Sequence, residues 1–332
     1  MYDKTFLYIV IIFFLLLSGT LLSYKFNLVD IPSNRKIHSK PTAFTGGIII
    51  SIAYLFALQL FNFTSNSLNL ILSIGFLISI VGLIDDKYNL NTGGKLSLQV
   101  IPIFYLIVFE NIKLTQIGDY EYFKLSLGSF SIPFSLLCVL LLINAFNYFD
   151  GIDGSLSLTF ISVLIILYFL STDENINLFL ILISIPIIIF LFFNFSFFKL
   201  PKLFLGDSGS LLLGFITSFL LIYFSINNIA HPILLAWSVA IFVYEFLSVN
   251  LQRIINNKNP FKPGLDHLHH YLHKKTKSIP TTNFLIFITN IFLFLLGYIV
   301  FNFFGSLFSL ILFMFLFVIF FIFRSKFLIK SK

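Results

Sequence analysis

The chain has 332 residues, of which 58% are hydrophobic and only 11% charged, with a formal net charge of +7. That composition lies outside the range of soluble domains and excludes an ordinary water-exposed globule. The positive charge is divided among short loops, so it reads as membrane orientation and argues against a nucleic-acid partner.

A hydrocarbon core of ~30 Å needs about 20 apolar residues per helix. In chain order, apolar runs predict spans near 6–24, 46–61, 68–84, 97–109, 131–146, 155–170, 177–194, 210–225, 231–250, 283–303 and 306–323. The expected fold is an all-α polytopic membrane protein, a single integral domain over residues 1–332 with about eleven helices, or about ten if one run does not cross. Met1–Ser23 lacks the small-residue cleavage signal of a secretory leader. The fourth run is short and contains Pro102, which neighbouring helices can accommodate. After it, Tyr120–Ser126 alternates in a way that suggests a short hairpin, with no assigned chemistry. The lone Cys138 sits in an apolar run and reads as packing. No internal repeat carries matching motifs in two halves, which weakens a transporter reading.

Basic residues set the orientation. With the N-terminus outside and the C-terminus cytoplasmic, eighteen lysines and arginines face the cytoplasm, and only Lys4, Lys113 and Lys124 face out. This split follows the positive-inside rule. It also puts three acid clusters, which did not enter the assignment, on the cytoplasmic side, in motif loops near 25–45, 85–96, 147–154, 195–209 and 251–282.

The first of these loops holds Asp30, Pro32, Arg35, Lys36 and His38 before Gly46-Gly47. Basic residues among turn formers suit an anionic ligand, or simply a positive-inside loop. Asp85-Asp86-Lys87, then Gly93-Gly94-Lys95, supplies paired carboxylates. Such a pair binds a hard cation through oxygen, or raises one pKa to create a proton acceptor. Asn144-Ala-Phe-Asn147-Tyr-Phe-Asp150-Gly-Ile-Asp153 packs two amides and two carboxylates into ten residues, and Asp150 and Asp153 share a face if this stretch is helical. In Gly206-Asp207-Ser208-Gly209-Ser210, Asp207 and Ser208 are placed to cap the next helix, whose free N–H groups also favour phosphate. Finally, His267, His269, His270 and His273 lie within seven residues. They suit zinc or the hydrogen bonding of a diphosphate, and they fall on two helical faces without a nearby cysteine.

These motifs, in this order over about residues 25–273, resemble the polyprenyl-phosphate N-acetylhexosamine-1-phosphate transferases of glycosyltransferase family 4. The form His267-Leu-His269-His270 is closer to the GlcNAc-1-phosphate transferases that initiate O-antigen, common-antigen and teichoic-acid synthesis than to phospho-N-acetylmuramoyl-pentapeptide transferase, which is the alternative. An ion-coupled transporter is the alternative of a different class.

The resemblance implies Mg²⁺-dependent transfer of a sugar-1-phosphate from a UDP-sugar to undecaprenyl phosphate, with release of UMP, at the cytoplasmic face of a bacterial inner membrane. Mn²⁺ is the substitute cation, and a homodimer is left open. It implies Asp207 and Asn147 as metal ligands, and Asp85, Asp86, Asp150 and Asp153 as catalytic acids. Asn144, Lys95, Arg35, His38, His267, His269 and His270 would contact substrate or phosphate. Two departures from the family pattern stand out, of which the second bears on the sugar. Glu245 stands where the family usually has Asp, and Gly264-Leu265 replaces an Asp-Arg pair, removing a bidentate phosphate donor.

Overall fold

The structure, a computed structural model, describes residues 2–32, 40–61, 63–259, 264 and 267–329. It is helical almost throughout. Helix α1 (Tyr2–Lys25) leads to two short antiparallel strands, β1 (Val29–Asp30) and β2 (Thr42–Ala43), with Val29 opposite Ala43. Helices α2 (Gly46–Leu60), α3 (Asn66–Tyr88) and α4 (Thr92–Phe104) follow, the last continuing as a π-helical turn to Phe109. The hairpin expected from the alternating segment is present as β3 (Gln116–Tyr120) and β4 (Phe123–Ser126). Then come α5 (Ser131–Phe149), α6 (Ser155–Leu170), α7 (Glu174–Asn194), α8 (Gly206–Ile226), α9 (Pro232–Ser238), α10 (Ala240–Ile255), α11 (Leu268–Thr276), α12 (Ile279–Phe304) and α13 (Ser306–Ile329).

Each apolar run named from the sequence falls on helical structure, but the run near 231–250 is divided between two helices, α9 and α10. Among the described residues, eight helices are long and apolar enough to cross a membrane, and α9 with α10 forms a ninth candidate bent by 74°. The shorter α2 and α6 are also apolar. The fourth run begins earlier than expected, at Thr92, because the Asn91 side chain caps α4 by accepting the Gly94 N–H at 2.7 Å. The bend at Val239 has neither proline nor glycine. There the Ser238 carbonyl accepts from Asn290 Nδ2 of α12 at 3.0 Å, which satisfies a polar group the break would leave bare.

Helix α8 is the centre of the bundle. It packs against α2, α3 and α5, and buries Leu211, Leu213, Phe215 and Phe219 completely. Its N-terminus admits the neighbouring backbones because Gly47 and Gly82 lack side chains; a Cβ at either would lie inside the backbone of Ser208 or Gly209. Ser210 and Ser218 return their hydroxyls to their own helix, at Asp207 O (3.3 Å) and Gly214 O (2.7 Å). The periphery is apolar instead: Phe14 on α1, Phe292 on α12, and Phe308 and Phe315 on α13 are all exposed. An apolar exterior of this kind suits lipid as the surrounding medium.

Candidate active site

Three helix ends meet at one side of the bundle: the last turn of α3, the end of α5 and the first turn of α8. They bring Asp85, Asp86, Asp150 and Asp207 to the wall of one cavity of about 1460 Å³, which also includes Asp153, Lys202, His267, His270, Lys274 and Lys275. The loop before α8 is held in place from the first loop. Phe204 N–H donates to Ala43 O at 2.7 Å, while Gly46 and Gly47 N–H donate to Phe204 O and Leu205 O at 3.0 and 2.8 Å. The glycine pair of the first motif therefore anchors the fourth.

Lys95 is the electrostatic keystone. Its ammonium lies 2.6 Å from Asp85 Oδ2 and also bonds Asp207 Oδ2. The other Asp85 oxygen accepts the Leu90 N–H at 2.9 Å. Asn147 Nδ2 reaches the second Asp207 oxygen at 3.2 Å. Both sequence-derived metal candidates thus touch each other, and Asp207 sits between a lysine and an amide.

The capping expectation needs correction. Asp207 and Ser208 are already inside α8, and the residue before it, Leu205, supplies no side-chain cap. The cap comes from α3: Asp86 Oδ1 accepts Asp207 N–H at 3.1 Å, and its Oδ2 accepts Ser208 N–H at 3.3 Å. A carboxylate at a helix N-terminus is favoured by the free N–H groups and the helix dipole. Asp86 therefore holds the Asp207 backbone in place.

The Asp150–Asp153 stretch is a turn between α5 and α6, not a continuous helix. Burial, reinforced by the negative charges of Asp207 and Asp153, pushes the Asp150 carboxyl up to about 8. Asp153 is paired with Lys202 at 2.6 Å, and its carbonyl accepts from Asn283 Nδ2 of α12 at 2.7 Å. Asn144 is not drawn to the acids; its amide donates to Leu140 O of its own helix at 2.7 Å.

The histidines divide. His267 precedes α11 and, with His270, lines the cavity. His269 is buried behind Gly151, with its Nε2 directed at that glycine. Burial and the other histidines hold its imidazole well below the usual range, hence neutral. Arg35 and His38 lie outside the described residues. Among the described residues, no three His, Cys, Asp or Glu side chains stand close enough together to hold a metal ion as they are, which matches the presence of Lys95 between Asp85 and Asp207.

Four basic cavity residues escaped the sequence reading: Lys202, Lys274, Lys275 and Arg324. Each is a basic residue near a helix end, indistinguishable by composition from an orientation signal.

Comparison with known proteins bears directly on this arrangement. The model of glycosyl transferase family 4 matches residues 68–225, the stretch that carries Asp85, Lys95, Asn147, Asp150 and Asp207. The chain carries a glycosyl transferase family 4 domain. It is 26% identical over 256 residues to the undecaprenyl-phosphate alpha-N-acetylglucosaminyl 1-phosphate transferase of Escherichia coli O157:H7, covering 75% of this chain and 70% of the relative. The corresponding Yersinia pestis protein is 27% identical with the same coverage. A probable undecaprenyl-phosphate N-acetylglucosaminyl 1-phosphate transferase of Bacillus subtilis is 28% identical over 259 residues, 76% of this chain and 71% of that one. The family 4 domain ends with α8, so the histidines and Arg324 reach the cavity from outside it.

Proposed function

We propose that this protein transfers an N-acetylhexosamine-1-phosphate, with N-acetylglucosamine the first candidate, from a UDP-sugar to undecaprenyl phosphate. An oxygen of the lipid phosphate forms the new bond to the sugar-bearing phosphorus. The bond from that phosphorus to the bridging oxygen breaks, and UMP leaves with that oxygen. The products are UMP and a lipid-linked diphospho-sugar, an initiating step for a cell-surface polysaccharide.

The observation that carries this reading is the cavity itself. Its lining combines Asp85, Asp86, Asp150 and Asp207 with His267, His270, Lys274 and Lys275, and with Leu293 of α12 and Leu316, Ile319 and Phe320 of α13. Acidic, basic and apolar groups lining one space suit a diphosphate ester meeting a phosphate on a hydrocarbon chain. A transporter reading has no comparable support, because the acids stand at helix ends.

Oxygen donors dominate the acid cluster, a set suited to Mg²⁺. Asp207 and Asn147 would hold the cation. When bound, it would neutralise charge on the diphosphate oxygens. Lys95 and Asp85 orient the lipid phosphate and handle its proton, Asp86 keeps the Asp207 backbone fixed, and Lys202 with Asp153 faces the nucleotide. The cavity opens to the cytoplasm, with the N-terminus outside, in a bacterial inner membrane.

The test uses purified protein, undecaprenyl phosphate and a panel of UDP-sugars, with UMP release and the mass of the lipid product as readouts. Mg²⁺-dependent product from a UDP-N-acetylhexosamine is expected, and Asp207→Ala or Asp85→Asn should lower the rate at least about a hundredfold. Full activity in either variant, or no lipid product from any donor, overturns the assignment.

A further inference from the structure

The C-terminal helix α13 sends one cation back toward the cavity. Arg324 donates from Nε to Glu245 Oε2 at 3.1 Å and from Nη1 to Gln252 Oε1 at 2.6 Å. Glu245 and Gln252 are seven residues apart on α10 and so share a face. Glu245 is completely buried. Its second oxygen accepts the backbone N–H of Leu268 at 2.9 Å, and His267 Nδ1 stands 3.9 Å from that same oxygen. One carboxylate thus joins three pieces of chain: α10, which carries it; the histidine segment, at Oε1; and α13, at Oε2. Arg324, His267 and His270 all line the cavity.

A buried carboxylate is stable only while a countercharge and hydrogen bonds compensate it. Arg324 is the cation in that role, and the carboxylate it stabilises holds the first turn of α11. The histidine segment has no arginine of its own at Gly264-Leu265. We propose that Arg324 is a positioning residue which, through Glu245, fixes the histidine segment against the cavity so that His267 and His270 meet the diphosphate of the sugar donor. This rests on the transferase reading above. It makes the far end of the chain part of the framework of the site.

The experiment uses the full-length protein and three variants: Arg324→Gln, Arg324→Lys, and Arg324→Gln combined with Glu245→Gln. Hydrogen exchange of the amides of 268–273 is measured without substrate, and KM is measured separately for UDP-GlcNAc and undecaprenyl phosphate. In Arg324→Gln, exchange at 268–273 should rise about tenfold and KM for UDP-GlcNAc about tenfold, with KM for the lipid within about twofold. Adding Glu245→Gln should restore both to within about threefold, since no charge is then left buried while hydrogen bonding remains. Arg324→Lys should fall between wild type and Arg324→Gln, because an ammonium lacks the planar fork. Unchanged exchange and KM in Arg324→Gln overturn the proposal. So does a general rise in exchange across α10 and α12 that the second substitution does not reverse. The exchange measurement needs no turnover. If the wild type forms no product, the transferase reading fails by itself, and the amides of 268–273 still decide whether Arg324 positions this segment.

Discussion

Asp150 offers the clearest chemistry at the scale of a single residue. Its folded carboxyl lies at about 8, raised from an ordinary 3.8 by burial and by Asp207 and Asp153. A raised acid stabilises the fold most when protonated. Without a divalent cation, the contribution of this group is full below about pH 4 and is lost as the pH rises through about 8. A cation held beside Asp207, as proposed above, would reverse the balance, because it would favour the carboxylate and compete with the proton. Apparent Mg²⁺ affinity should therefore climb between pH 6 and 8, by up to about tenfold per unit, and level off above. Asp150→Asn should flatten the curve. Magnesium activation profiles measured at several pH values check this, and a pH-independent affinity in the wild type would contradict it. Residues such as Asp150 are conspicuous in the bare sequence because acids beside apolar runs are costly. The capping role of Asp86 is not, since its partner Asp207 lies 121 positions away.

Among the elements, the junction of α3 with α8 governs how the acids meet. Gly82 faces the backbone of Ser208, which cannot yield, whereas a Cβ at Gly75 on the same helix would meet the flexible Leu212 Cδ1 at 3.1 Å. Gly82→Val should separate the two helices, draw Asp85 and Asp86 away from Asp207, and cost about 1–3 kcal/mol or more. Gly75→Ala should change little by comparison. Thermal unfolding in detergent together with UMP release distinguishes them; equal behaviour of the two variants would show that the close approach at Gly82 is unimportant. Helix existence was legible from hydropathy because the runs are apolar and most are long. The break between α9 and α10 was not, because Ser238-Val239-Ala240 contains no helix breaker and the bend depends on Asn290 of another helix. Nor was the turn at Asp150–Asp153, since spacing alone could not separate a turn from a continuing helix.

For the molecule as a whole, the separation of charge between its two ends is the property to test. The β3–β4 hairpin, with Tyr122 85% exposed, lies at one end of the bundle, and exposed Lys275 lies beside the cavity. In a Cys138→Ser background, Tyr122→Cys should react with a membrane-impermeant maleimide on intact cells. Lys275→Cys should react only after permeabilisation. The reverse pattern would invert the orientation. The common location of the acids was legible from basic-residue asymmetry, but Lys202 and Arg324 were hidden in that same asymmetry, because a cation that orders a site and one that orients a loop are the same residue in a sequence.

The way two serines of α8 bond their own helix has a consequence for biosynthesis. A helix enclosed on every side in the finished protein must still leave the ribosome and enter lipid before α9 to α13 exist. Since Ser210 and Ser218 spend their hydroxyls on their own backbone, this segment can wait in hydrocarbon without those two groups seeking a partner. Its carboxylate-bearing first turn, Gly206-Asp207, is the polar end of the helix. The acid-bearing end can thus be set against α3 and α5 while the chain is still being made, and the later helices close around a centre already assembled.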